Sequence, residues 1–197
     1  MAMAMPAEPM SDHDGFTVED WLALPERGQR VELIDGSFVV SPQAATNHQL
    51  CTGRLRTLLA LSAPEDLEVV EAANLICADE GAIPDLVVAD ADVMVAATVA
   101  LEPHHVRLVA EVVSPGRKNR MRDYQDKPRM YAAAGIPVFL RVELTGAGAP
   151  RVEVFELRDG DYVLSAEAAA GRLLQLTEPF KVSFDPAELA GPRRREP

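Results

Sequence analysis

The chain has 197 residues, 48% hydrophobic and 25% charged, which suits one globular domain with a full core. Its formal net charge of -12 argues against broad, sequence-independent attraction to nucleic acid or to an anionic membrane. No apolar run approaches the ~18 residues needed to span a bilayer.

Residues 1–15 are small, polar or acidic and read as a disordered tail, with neither a basic n-region nor an adequate apolar run for a signal peptide. Thr17 with Asp20 predicts a capped helix through Trp21, Leu22 and Leu24, closed by Pro25. Val31-Glu32-Leu33-Ile34 and Ser37-Phe38-Val39-Val40, joined by Asp35-Gly36, predict an N-terminal hairpin. Leu50, Cys51, Leu55, Leu58 and Leu59 recur at helical spacing between about Thr46 and Leu61. Leu67 to Ile76 reads as a strand.

The runs at about 84–90 and 106–113 are short, continuous and rich in Val, as central strands require. Asp92 to Pro103 connects them. A helix is predicted from about Lys118 to Ala134, ended by Gly135 and followed by Pro137. Val138 to Leu144 reads as a further strand. Pro150–Leu157 and Asp161–Ser165 then pair across Arg158-Asp159-Gly160 as a C-terminal hairpin, and 172–184 adds one or two short strands. Residues 191–197 read as a frayed tail, leaving one domain over 16–190 of α/β (α+β) class. Cys51 and Cys77 lack metal-ligand spacing and sit in apolar patterns, so buried thiols and a reducing cytoplasm are expected.

Within this frame one pattern carries chemistry. Asp85 opens the first central strand after Pro84. Glu111 sits inside Leu108-Val109-Ala110-Glu111-Val112-Val113, and Lys127 follows on the helix. Two carboxylates and an ammonium on neighbouring elements are a minimum set for metal-assisted phosphodiester cleavage, and a divalent cation would offset the cost of burying the acids. Mg²⁺ takes few protein carboxylates and keeps water elsewhere, so Asp85, Glu111 and the backbone carbonyl of Val112 would suffice. Lys127 could orient or deprotonate the attacking water, or neutralise charge.

Each residue also has a structural explanation. An Asp after Pro commonly serves a turn, and Glu111 could pair with Arg141 or Lys127. Asp123, Lys127 and Tyr131 recur every four residues and so share one helix face. Pro128 predicts a kink, or a helix that restarts, at Lys127. From Arg117 to Tyr131 there are six basic residues against two acidic ones. Arg117, Lys118, Arg120 and Arg122 are therefore candidate DNA contacts in a local groove. His104-His105 reads as a surface loop.

Val31-Glu32-Leu33-Ile34-Asp35-Gly36, Ser41-Pro42 and His48 together resemble the N-terminal half of the Uma family of restriction-endonuclease-like proteins. Pro84-Asp85-Leu86-Val87-Val88 resembles its proline–aspartate strand. Glu111-Val112-Val113-Ser114-Pro115, then Asp123, Lys127, Tyr131-Ala132 and Ala134-Gly135-Ile136-Pro137, are similar to its most specific segment. The resemblance runs from about residue 16 to 185 and places the chain in the PD-(D/E)XK nuclease superfamily. It implies a restriction-endonuclease-like mixed β-sheet flanked by helices, and Mg²⁺-dependent chemistry on DNA, with Mn²⁺ as the alternative ion.

In the superfamily pattern a lysine stands two residues after the second acid, where this chain has Val113. The resemblance implies that Lys127 replaces it from the following helix. It also implies Glu32 as a further metal ligand and His48 as an accessory residue, alongside Asp123 and Tyr131. A lone His48 is equally a hydrogen-bonded structural residue. After the Gly-Ile-Pro turn the family's aromatic pair has thinned to Phe139.

The expectation is thus a Mg²⁺-dependent DNA endonuclease, with a homodimer if both strands are cut by paired sites. The alternatives are a binding or interaction protein that keeps the fold without turnover, and a phosphoesterase acting on a small substrate.

Overall fold

Asp35 and Gly36 take φ of 45° and 66°, the left-handed pair that a two-residue hairpin turn requires. In the computed structural model, which describes residues 15–25, 28–41, 43–96, 98–113 and 120–191, this turn joins β1 (Arg30–Ile34) to β2 (Ser37–Ser41). The helix before it, α1 (Val18–Leu22), starts at the predicted Thr17–Asp20 capping box. The segment expected as one strand divides at Ala72, which has φ 52°. Its halves are β3 (Leu67–Glu71) and β4 (Leu75–Cys77). β4 turns back onto β5 (Glu80–Ala82), a hairpin that periodicity had not indicated.

β6 (Leu86–Asp90) and β7 (Val106–Val112) are the expected central strands. Between them lie a short helix at Ala91–Val95 and a 3₁₀ turn at Pro103–His105 that carries both histidines. β8 (Val138–Glu143), β9 (Arg151–Arg158) and β10 (Asp161–Ala169) follow, with the last two forming the C-terminal hairpin. β11 (Leu174–Leu176) and β12 (Val182–Phe184) pair separately.

The larger sheet has the order β10-β9-β8-β7-β6-β3, and the smaller β2-β1-β5-β4. All neighbours in the larger sheet are antiparallel except β7 and β8. Their parallel pairing needs a crossover, which the helical segment supplies. Both faces of the larger sheet are covered, which explains the unbroken apolar runs 86–89 and 108–110 in its central strands. On one face Cys51, Leu55 and Leu59 of the helix Thr46–Ala60 pack on Leu86, Val88, Leu108 and Ala110. On the other, Met130 and Tyr131 pack on Val87, Val109 and Phe139.

The smaller sheet has its own anchor in Trp21, Leu33 and Ile83. Trp21 Nε1 donates to the Val31 carbonyl at 2.6 Å. A Cβ on Gly81 would stand 2.4 Å from the indole, so only glycine lets β5 approach it.

The irregularity expected at Pro128 is a widened turn immediately before it. Arg122–Asp126 is π-helical, and an α-helix runs from Lys127 to Ala133. The Lys127 N–H bonds the Arg122 carbonyl five residues back, and Lys127 itself is helical, with φ -63° and ψ -47°. In a regular α-helix the Pro128 ring would meet the carbonyl four residues earlier; the wider turn relieves that conflict. Among the described residues, no helix is long and apolar enough to cross a membrane.

Candidate active site

β6 and β7 pair with Leu86 opposite Ala110, so Asp85 and Glu111 emerge side by side at one end of the larger sheet. Glu32 reaches them from β1 of the smaller sheet. Glu32, Asp85 and Glu111 are 1%, 5% and 2% exposed, a degree of burial that ionisable groups tolerate only when compensated. Lys127 supplies much of that compensation. Its Nζ lies 2.8 Å from Glu111 Oε1 and 3.0 Å from Glu32 Oε1. One helical turn later the Tyr131 hydroxyl donates to the same Glu111 oxygen at 2.5 Å.

The expected ion pair of Glu111 is therefore with Lys127. Arg141 pairs instead with Glu153, at 2.7 Å.

Asp85 is held from three directions. Its Oδ1 accepts from Arg30 Nη1 at 2.9 Å. Its Oδ2 accepts from the Val112 N–H at 2.9 Å and lies 3.0 Å from His48 Nε2. Arg30 is tied further to the Ile83 carbonyl. The Ile83 N–H in turn donates to Glu32 Oε1 at 3.0 Å, and Ser41 Oγ lies 3.4 Å from Glu32 Oε2. His48 also hydrogen-bonds the backbone of Val112. The Val112 backbone thus serves Asp85 and His48 directly.

The electrostatics separate the acids. Burial works against ionisation of Asp85, but the His48 hydrogen bond and the charges of His48, Lys127 and Arg30 outweigh it and hold the group well below the usual carboxylate range. Burial likewise opposes ionisation of Glu32, and Lys127 with the Ile83 N–H overcomes it. Glu111 goes the other way. Full burial, reinforced by Asp85, Asp123 and Glu32, pushes it up to about 8 despite Lys127. Lys127 is raised above the ordinary lysine value, because Glu111, Glu32 and Asp85 outweigh its burial. The three acids thus decide its state, and it is held as an ammonium.

The oxygen chemistry is of the kind a hard divalent cation takes: Asp85 and Glu111 come from paired strands of the larger sheet and Glu32 from the smaller one, and Glu111 stays raised even with Lys127 beside it. Asp85, Glu111 and Glu32 are the residues that would hold one. As they stand, their oxygens are bound by the protein's own donors. Among the described residues, no group of three or more His, Cys, Asp or Glu is arranged to grip an ion.

Of the accessory residues, Tyr131 and His48 touch the acids, while Asp123 is buried close enough to raise Glu111. Arg120 pairs with Glu143 at 2.8 Å, and Arg122 reaches Ser41 Oγ at 3.3 Å and Glu32 at 3.9 Å. Arg120, itself exposed, and Arg122 each lie against one of the protein's own buried acids. Arg117 and Lys118 lie outside the described residues, as do Ser114-Pro115 and Pro42.

Arg30 is the component that sequence reasoning missed. Nothing local marks it, since its partner Asp85 is 55 residues away. A cleft of about 580 Å³ opens beside it and is lined by Arg30, His48 and Asp85. A larger cavity of about 920 Å³ lies around Phe16, Asp35, Glu80 and Arg129, apart from the three acids.

The family model for Uma2, described as "Putative restriction endonuclease", matches residues 18–189. Among solved structures, the chain is similar to one described as a putative nuclease belonging to DUF820 from Anabaena variabilis ATCC 29413. The TM-score is 0.56 at 13% identity, covering 76% of this chain and 83% of that one, so the likeness is one of fold. No curated protein matches. With 172 consecutive positions spanned by that match and the expected acids gathered at one sheet end, the chain belongs to the Uma2 family of putative restriction endonucleases.

Proposed function

We propose that this protein is a Mg²⁺-dependent endonuclease that hydrolyses DNA phosphodiester bonds, with Mn²⁺ able to replace Mg²⁺. The observation that carries this reading is the position of Lys127. Val113 stands where a strand lysine is expected, and Lys127 reaches Glu111 and Glu32 from the following helix instead.

The chain's own residues divide the work by charge. Asp85 is ionised and immobilised by Arg30, His48 and the Val112 N–H, so it presents a fixed negative edge. Glu111 is the acid nearest to exchanging a proton at neutral pH, and Tyr131 with Lys127 holds its orientation. Lys127, kept as an ammonium, is suited to steadying a water molecule or a phosphate oxygen rather than to removing a proton. A bound divalent cation would supply Lewis-acid stabilisation of the phosphate and a more acidic water. Hydrolysis forms a bond from water oxygen to phosphorus and breaks one ester P–O bond, with a proton passing to the leaving oxygen.

The test is cleavage of plasmid and linear DNA with Mg²⁺ and with EDTA. Wild type should cut only with the ion, whereas Asp85→Asn and Glu111→Gln should not cut. Cleavage that survives either substitution would overturn the assignment.

One observation favours a second reading, a binding protein that keeps the fold without turnover: both Asp85 oxygens are already committed to Arg30, His48 and Val112. DNA binding without cleavage in either metal, unchanged by Asp85→Asn, would decide for it.

A further inference from the structure

The cleft beside Asp85 has a composition that phosphate chemistry alone does not explain. Its lining holds no excess of cations, since Arg30 and His48 share it with Asp85 and Glu71, so it offers no net attraction to an anion. Three exposed glutamines, Gln29, Gln43 and Gln49, are among the residues that line the same space. Among the described residues none of these three side chains has a hydrogen-bond partner. Each therefore keeps one acceptor and two donors available for a ligand. Val40, 54% exposed, adds an apolar surface to the lining. At about 580 Å³ the cleft falls within the range of small-ligand pockets, and it is larger than one planar heterocycle needs.

An uncharged, planar group rich in hydrogen-bond donors and acceptors fits this lining; a phosphate does not. Carboxamide side chains bind such groups edge-on, as they do adenine. Because Asp85 itself lines the cleft, a ligand seated there would place its attached phosphate next to the acids. A base stacked and paired within a duplex cannot enter a concave pocket, so the substrate must present the base outside the stack. The net charge of -12 points the same way, since a long duplex footprint needs many phosphate contacts.

We propose that the cleft lined by Gln29, Gln43 and Gln49 is a nucleobase subsite, and that the preferred substrate presents an unpaired nucleotide. The inference rests on the endonuclease reading for its substrate class, but its test needs no cleavage.

Binding of full-length protein to fluorescent oligonucleotides of equal length would be measured by anisotropy, both without divalent ions and with Ca²⁺. The arms are a single strand, a duplex with one unpaired nucleotide, and a fully paired duplex. The first two should bind at least about tenfold tighter than the third. The double variant Gln43→Ala/Gln49→Ala should lose most of that preference, with an unchanged melting temperature because neither side chain has an internal partner. Competition by free deoxynucleoside monophosphates at matching affinity would support the subsite and assign it to a free nucleotide rather than to DNA. Equal binding of all three DNA forms, or a preference that survives the double variant, would overturn the proposal. Failure of the endonuclease reading would show separately, as absent cleavage with the binding preference intact.

Discussion

Lys127 Nζ and Glu111 Oε1 lie 2.8 Å apart, on side chains that are both almost fully buried, 16 residues apart in the chain. The same ammonium holds Glu32, so one cation from a helix joins acids from two different sheets. The pair carries both stability and chemistry, and the two can be measured separately.

Replacing Lys127 with Met leaves Glu32 and Glu111 buried without their shared cation. Breaking such a buried pair costs about 3–5 kcal/mol. Urea unfolding in EDTA should show that loss. The further changes Glu32→Gln and Glu111→Gln should recover a substantial part of it, while cleavage stays absent. Recovery below about 1 kcal/mol would mean that Lys127 matters through packing rather than charge.

Glu111 sets the pH dependence of the metal-free protein. Its folded value, pushed up to about 8, exceeds the ordinary 4.5, so the folded state binds more protons than the unfolded state between those values. Stability in EDTA should therefore fall as pH rises from about 4.5 to 8, with a slope of at most about 1.4 kcal/mol per pH unit from this one group. Asp85 acts in the opposite sense. Its folded value is depressed, so its contribution is present above its ordinary value and lost as pH falls below it. Chemical denaturation at stepped pH should show the alkaline slope in wild type and a flatter profile in Glu111→Gln.

His48 acts on the chemistry through Asp85. Removing it with His48→Ala leaves Arg30 and the Val112 N–H in place, so Asp85 stays ionised but loses one of its three anchors. Partners of this kind typically contribute about 10–100-fold to metal affinity or activity. Titrating Mg²⁺ against cleavage rate should show a higher ion requirement, and His48→Gln should restore part of the loss. An unchanged Mg²⁺ requirement in His48→Ala would assign His48 to structure alone.

Gly81 tests the link between the two sheets. A Cβ there would meet the Trp21 ring at 2.4 Å, and Gly81 pairs with Leu33, the neighbour of Glu32. Gly81→Ala should cost about 1–3 kcal/mol by overpacking. It should also lower cleavage at temperatures where the protein remains folded, because β1 carries Glu32. Thermal unfolding and a cleavage assay at low temperature separate the two effects.

Local signals were legible where the physics is local. Asp35-Gly36 announced a turn because both positions need positive φ, and Thr17 with Asp20 announced a cap. Val-rich runs announced strands covered on both faces. The single strand expected from Leu67 to Ile76 divided because Ala72 adopts a left-handed conformation that its residue type does not advertise. The β4–β5 hairpin was hidden for a similar reason, with Ala78 at φ 57°. Pro128 marked an irregular helix, but only the folded chain showed it as a π-helical turn that leaves Lys127 helical.

By itself the sequence determined which groups are unusual: acids inside apolar runs, a valine where a strand lysine is expected, and a lysine displaced to the next helix. The buried acids follow from residue type and spacing, which are properties of neighbours in the chain, and the valine and the displaced lysine from the family resemblance. Only the tertiary structure decided their partners. Arg30 meets Asp85 across 55 residues, Glu32 arrives from another sheet, and Arg120 and Arg122 lie against Glu143 and Glu32. Ion pairs in a low-dielectric interior depend on distances of a few ångströms between distant segments. The same dependence governs Lys127: buried Glu32 and Glu111 within 3.0 Å, together with Asp85, raise it above the ordinary lysine value.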